Sequence, residues 1–202
     1  MLGLHNAKTN SLNFFKNQMM KRLLLLFIAV SFGLSSYAQS EKPQTVTPES
    51  LKALKADVEK QIPEFKQKLT NEKLTKTQIE FSVDTFVIER LAAKRMDVDY
   101  STSGMNNAMI AQADSYDKLM NKYYNKLLEK LKKEDKKTLI TAQKAWVAYR
   151  NAETQLIWAM TKKEYSGGGT IQTNIANASY SDIVVRRTLE IFKYYKAVLG
   201  EE

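Results

Sequence analysis

Cysteine is absent from the 202 residues, and histidine occurs once, at His5. Without cysteine there is no disulfide framework, no thiolate nucleophile and no thiolate metal site. His5 lies within residues 1–38, which read as a removable leader, so the chain that remains has no imidazole either. Any acid–base chemistry would then rest on carboxylates, lysine or tyrosine. The sequence calls for no metal and no cofactor. Only three prolines and seven glycines interrupt it. It has no internal repeat, no low-complexity tract and no alternation of strand type over a useful length. What is left is the pattern of long helices, and the fold class it predicts is all-α.

Lys21 and Arg22 precede an apolar run, Leu23 to Val30, that continues weakly to Leu34; Ser36-Tyr37-Ala38 then supplies small residues before Gln39. A basic start, a short apolar core and small residues at its end predict a secretory signal peptide over residues 1–38, cleaved after Ala38. Met19 or Met20 reads as the true start. A spanning helix needs ~20 apolar residues, so no transmembrane segment is expected after cleavage, and the product is periplasmic or secreted. Losing Lys8, Lys16, Lys21 and Arg22 lowers the formal charge from +9 to +5, on the 164 residues that remain of 202. That length suits one domain with a small appendage.

Residues 39–46 read as a linker. Thr47-Pro48-Glu49 opens a first helix, with an N-cap threonine, a proline at the first position and an acid in the first turn. Its stripe is Leu51, Leu54, Val58, Ile62 and Leu69, and Pro63 predicts a kink or break at Ile62. Thr75 and Gln78 have the spacing of a capping box. They open a second helix, whose stripe is Ile79, Val83, Phe86, Val87, Arg90 and Leu91. Residues 47–97 thus form a helical hairpin that needs another surface to pack on, and 98–202 form the main helical domain. The third helix, about Met105 to Leu131, carries Met105, Met109, Ala113, Tyr116, Met120, Tyr123 and Leu127 at steps of three and four, the pattern of lengthwise helix packing. Lysines 126, 130, 132, 133, 136 and 137 follow, interleaved with Glu129, Glu134 and Asp135 and with no aromatics. That is the composition of a solvated face rather than a nucleic-acid patch.

The stretch Leu139 to Met160 reads as the centre of the domain. Leu139, Ala142, Trp146, Tyr149, Leu156 and Met160 fall on one side at helical spacing, and Gln143 and Arg150 sit beside Trp146 on the inner edge. The helix containing it, about Asp135 to Lys163, stops at Gly167-Gly168-Gly169. These glycines permit a left-handed cap and a reversal, with Thr170 placed to cap the next helix. The fifth helix, about Ile171 to Leu199, carries Tyr180, Val184, Ile191, Tyr194 and Val198, with Arg187 inside the stripe. A charge there must find acceptors, and Asp117, Glu153 and the neighbouring helix ends are the candidates, among which the sequence does not choose. Three helices of ~27–30 residues, ~40–45 Å each, predict an elongated antiparallel bundle with an N-terminal helical hairpin.

Four blocks in order carry a family resemblance. Residues 116–124, YDKLMNKYY, are similar to an "aD..LN..Y" helix, with Asp117 and Asn121 in the pattern. Residues 142–153, AQKAWVAYRNAE, resemble "AQ+AW..YRDAE", including Gln143, Trp146, Tyr149, Arg150 and Glu153. Gly167 to Thr170 fit a glycine turn, and Arg187 with Glu190 fits a final "R..EL" element. Together they resemble the LprI-like lysozyme-inhibitor domain, found in exported helical proteins of bacteria. The resemblance covers about Tyr100 to Lys196. The family's cysteines usually staple its helices, and this chain has Ala108, Thr154 and Ser179 near those places.

The leading expectation is an exported, non-enzymatic binding or inhibitor module of the bacterial envelope, with a protein partner there, a lysozyme-type enzyme among the candidates. Aromatic and arginine anchors favour interfaces, and glycine loops can enter clefts. That nominates Trp146, Tyr149, Arg150, Gly167, Gly168 and Gly169 for binding. Against it stands a structural reading, in which Asp117, Asn121, Gln143, Glu153 and Arg187 join helices as a polar cluster around Trp146. Two other functions compete: an envelope adaptor docking through the 47–97 hairpin without inhibitory activity, and a glycan hydrolase using Asp117 and Glu153 as paired carboxylates. The sequence leaves the target and the oligomeric state open.

Overall fold

The computed structural model describes residues 42–201. The expected signal peptide, its expected cleavage site and most of the expected linker's first half lie outside the described residues. Residues 43–202 cluster as one compact unit. Six helices, and no strand among the described residues, make it all-α: α1 Pro48–Asn71, α2 Lys76–Val98, α3 Thr102–Lys130, α4 Lys133–Met160, the single turn α5 Lys163–Ser166, and α6 Ile171–Val198.

The helix starts follow from local chemistry. Thr47 Oγ1 accepts the Ser50 N–H at 3.2 Å while Ser50 Oγ accepts the Thr47 N–H at 2.8 Å, so Ser50 completes a capping box for α1. Thr75 and Gln78 form the second box as expected. Ser101 caps α3 through the Gly104 N–H. Two expectations need correcting. Pro63 does not break α1, which runs unbroken through it. Pro63 and Glu59, whose carbonyl it leaves without an N–H, are both exposed, so water can serve that carbonyl while Val58 and Leu69 anchor the helix on either side. Thr170 makes no side-chain cap on α6 and is itself in helical conformation. The α1–α2 turn contains no glycine, so Lys73 takes the left-handed conformation, φ 59°.

The centre is not the Leu139–Met160 helix. α3 and α6 lie against each other in parallel: Asn177 meets Asn106 at 2.8 Å, the Thr188 hydroxyl donates to the Tyr116 carbonyl at 3.1 Å, and Phe192 meets Tyr123. α2 runs antiparallel along α3, tied by Tyr116 to Glu89 at 2.6 Å, Lys122 to Asp84 at 2.6 Å and Lys126 to Glu80 at 2.8 Å. α1 covers α2 through stacked Phe65 and Phe86 and through the Arg90–Gln61 and Lys94–Asp57 pairs. α2 therefore has two working faces, and only the one carrying Val83, Phe86 and Arg90 was readable as a stripe. Its second face puts Phe81 on Phe192, rings parallel and 3.7 Å apart, with Tyr123 edge-on to both. Tyr194 and Val198, expected in the core, are about half exposed, while Phe192 and Tyr195 are buried instead.

α4 lies antiparallel to α3 and α6 on the outside, and Leu139 is its only buried residue. The expected single stripe divides in two. Leu139, Gln143, Trp146 and Arg150 face the bundle, whereas Ala142, Tyr149, Leu156 and Met160 are exposed. The inward row contains an indole, an amide and a guanidinium, which hold the helix at side-chain distance rather than letting backbones close.

Candidate functional site

Two places bring the expected residues together. The first is the junction of α3, α4 and α6. Arg187, only 8 % exposed, donates from Nε to Gln143 Oε1 at 3.1 Å and from Nη1 to Glu190 Oε2 at 3.1 Å. Neither Asp117 nor Glu153 is its partner. Arg187 points along its own helix to Glu190 and across to Gln143 of α4, while Asp117 is taken by Arg150. Gln143 turns its amide nitrogen to Met120 Sδ at 3.6 Å. Arg150 pairs with Asp117 at 3.5 Å and with Asn151, and Asn121 donates to the same Asp117 carboxylate at 3.1 Å. The guanidinium carbons of Arg150 and Arg187 lie 5.2 and 5.9 Å from the Trp146 ring centroid, within cation–π reach. Trp146 itself packs on the hydrophobic core. This is a junction built from charge, amide and indole, holding three helices where apolar packing alone would not.

Glu153 lies on the edge of α4, partly exposed. Asp117 is already engaged by Arg150 and Asn121. Tyr149 is 53 % exposed and lies outside the junction. The sequence placed it beside Trp146 because both fall in a broad apolar arc; the three-residue step between them turns it out of the contact.

The second place is the α4–α6 tip. Gly167, Gly168 and Gly169 all have positive φ, 77°, 84° and 97°, a run that residues with a Cβ rarely adopt. Ser166 organises it: its hydroxyl donates to the Thr161 carbonyl at 2.8 Å and accepts the Gly168 N–H at 3.1 Å, and its carbonyl accepts from Gln172 at 3.3 Å. The tip presents Tyr165, 62 % exposed, next to exposed Lys162 and Lys163, with Ile171 exposed behind it. Sequence reasoning found the glycines but missed Tyr165 and Ser166; an aromatic directly before a glycine run was the available clue.

A cavity between α2 and α3, lined by Val87, Leu91, Arg95, Ala108 and Gln112, holds about 90 Å³. Small-molecule sites occupy roughly 300–1,000 Å³, so recognition by this chain is better sought on its surface. Among the described residues no helix is long and apolar enough to cross a membrane.

Residues 92–191 match the family described as lysozyme inhibitor LprI. The chain carries an LprI domain. No curated protein and no solved structure matches the chain significantly. The LprI match begins inside α2 and ends at Ile191, so it contains α3, α4, the glycine tip and most of α6. Both places described above lie within it.

Proposed function

We propose that this protein is an exported, non-enzymatic inhibitor module of the bacterial envelope that binds a lysozyme-type enzyme through the α4–α6 tip. The observation that carries the reading is the location of that tip inside the LprI match: a rigidly tied glycine turn presenting Tyr165 close to Lys162 and Lys163. A narrow turn with an aromatic at its head can enter a cleft that a flat helix face cannot, and tyrosine gives large contact area with little entropy to lose. The lysines suit the carboxylate-lined cleft of an enzyme that cuts glycans. The chain reaches the envelope through the leader at residues 1–38, cleaved after Ala38, and residues 39–46 link it to the helices. Trp146 and Arg150 serve this reading indirectly, by fixing α4 so that the tip is held in place.

A second reading has its own support. The packing of Trp146, Arg150, Arg187 and Gln143 accounts for those residues structurally, which leaves room for an envelope adaptor without inhibitory activity. Titration of residues 39–202 into a panel of lysozymes, with cell-wall lysis monitored, separates the two. Saturable inhibition at defined stoichiometry, lost in Tyr165→Ala with the helical circular dichroism intact, supports the inhibitor. No inhibition of any panel member at tens of micromolar would favour the adaptor.

A further inference from the structure

α4 carries a second pattern that its packing on the bundle does not use. Ala142, Ala145, Tyr149, Ala152, Leu156 and Ala159 follow one another at steps of 3, 4, 3, 4 and 3, the spacing of the a and d positions of a coiled-coil seam. The row lies about a quarter-turn around the helix from Gln143, Trp146 and Arg150. All but Ala159 are exposed, Tyr149 at 53 % and Leu156 at 52 %, and Met160 beside the row is 46 % exposed. The flanking positions are Thr141, Ala148 and Gln155 on one side and Trp146, Glu153 and Met160 on the other. In a protein rich in surface lysine, Glu153 is the only charge in this row and its flanking positions over about 26 Å of helix; Lys144 and Arg150 lie on other sides of it.

We propose that this seam joins two copies of the chain, α4 packed antiparallel on α4 about a two-fold axis passing between Arg150 and Asn151. The choice of occupant rests on size. In antiparallel pairs an a position faces a d position of the other helix, and about that axis Tyr149 meets Ala152 of the partner subunit. Leu156 meets Ala145 of the partner subunit, and Ala142 meets Ala159 of the partner subunit. Each large side chain lies over an alanine, and the two-fold repeats both unequal layers. A parallel pair would set tyrosine on tyrosine and leucine on leucine, with alanine facing alanine between them, leaving alternate layers overfilled and empty. Self-complementarity of this kind is what an isologous interface requires. Desolvation costs little, because the row itself is uncharged. One helix pair buries less than the roughly 800 Å² per partner of a standard interface, so the dimer belongs in the micromolar range. The seam is separate from the glycine tip, so this inference stands or falls independently of lysozyme binding.

Sedimentation of residues 39–202 between ~1 µM and ~1 mM tests the association. The weight-average mass is expected to double with concentration, and Leu156→Glu, at an exposed position that leaves the helical spectrum unchanged, is expected to weaken dimerisation at least tenfold. A monomer throughout, or a Leu156→Glu chain that dimerises like the parent, overturns the proposal. The cysteine-free background allows orientation to be read directly. Ala145→Cys and Leu156→Cys chains should form an interchain disulfide when mixed and not when oxidised alone, since each is about 16 Å along the axis from its own symmetry mate. Self-crosslinking of either single variant would instead establish a parallel pair and overturn the antiparallel assignment.

Discussion

The sharpest test of the core lies in the tyrosine at its centre. Tyr123 is fully buried among Phe81, Phe192 and Tyr195, and its hydroxyl has no hydrogen-bond partner among the described residues. Burial, reinforced by the Glu80 and Asp84 carboxylates, pushes its pKa well above the ordinary 10. The folded state therefore keeps the phenol proton at a pH where the unfolded chain releases it, and stability must fall as pH rises through 10. Integrated to about pH 11, one such group removes about 1.4 kcal/mol. Tyr116, raised by burial and then by Glu89, adds a loss of the same sign. Burial opposes the Lys122 charge, but the hydrogen bonds it donates to Asp84 and Glu80 outweigh it and leave its pKa raised, which again takes stability away at high pH. Tyr123→Phe isolates one contribution. Urea melts of parent and variant at about pH 8 and about pH 11 should show the variant losing about 1.4 kcal/mol less between the two. At the lower pH the variant should be equal to the parent or up to ~1 kcal/mol more stable, since no hydrogen bond is given up. Equal losses in parent and variant would refute the premise that the Tyr123 hydroxyl stays protonated in the folded state.

Other substitutions probe single features. A Cβ at Gly104 would overlap the side chain and carbonyl of Asp99, which closes the α2–α3 turn by accepting from Ser101; Gly104→Ala should cost about 1–3 kcal/mol in a denaturant melt. Lys73→Gly should stabilise by roughly 0.5 kcal/mol, because the left-handed backbone there costs a side chain more than glycine loses in entropy; a destabilised variant would count against that conformation. Arg187→Ala should cost about 2–4 kcal/mol, and Arg187→Met clearly less. Equal costs would mean that pairing with Gln143 and Glu190, not packing on Trp146, carries the residue. Amide hydrogen exchange should be faster in α4 beyond Arg150 than in the buried stretches of α3 and α6, since that part of α4 has few buried contacts.

Much of the architecture was legible because helix boundaries are local. Thr47, Thr75 and the glycine run each act on their own turn, and the α3 stripe from Ala113 to Leu127 is buried at every position, so its period survives in the sequence. Two kinds of feature did not survive. A helix with partners on two sides blurs its own period: in α2, Phe81 and Ile88 serve the core while Phe86 and Arg90 serve α1, and the sum looks like one loose stripe. An apolar arc wider than one partner can cover is also ambiguous. In α4, periodicity could not say whether Trp146 or Tyr149 faced inward, because only the position of α6 decides. At the junction, Gln143, Trp146 and Arg150 could be read as neighbours on one helix. Their meeting with Arg187 could not, and the acids suggested for that arginine, Asp117 and Glu153, are not the groups it uses, which are the Gln143 amide and Glu190 on its own helix.

The relation between the family match and the folded unit follows from the aromatic cluster. The LprI match ends at Ile191, one residue before Phe192, and begins after Phe81. Yet Phe81 and Phe192 form the tightest ring stack in the described chain, and Tyr123, inside the match, rests on both. The end of the α3–α6 pair is thus closed by residues on either side of the matched segment. Thr75 adds a further tie there, donating from its hydroxyl to Glu201 at 2.6 Å, so the start of α2 is fastened to the chain's last turn. A chain without cysteine has no covalent staple and has to hold its helices by buried area. The α1–α2 hairpin supplies it instead: it covers the rings that α3 and α6 expose at one end, and its acids hold Lys122 and Lys126 over the Tyr123 face. In packing terms the hairpin belongs to the core of the domain rather than to an arm beside it.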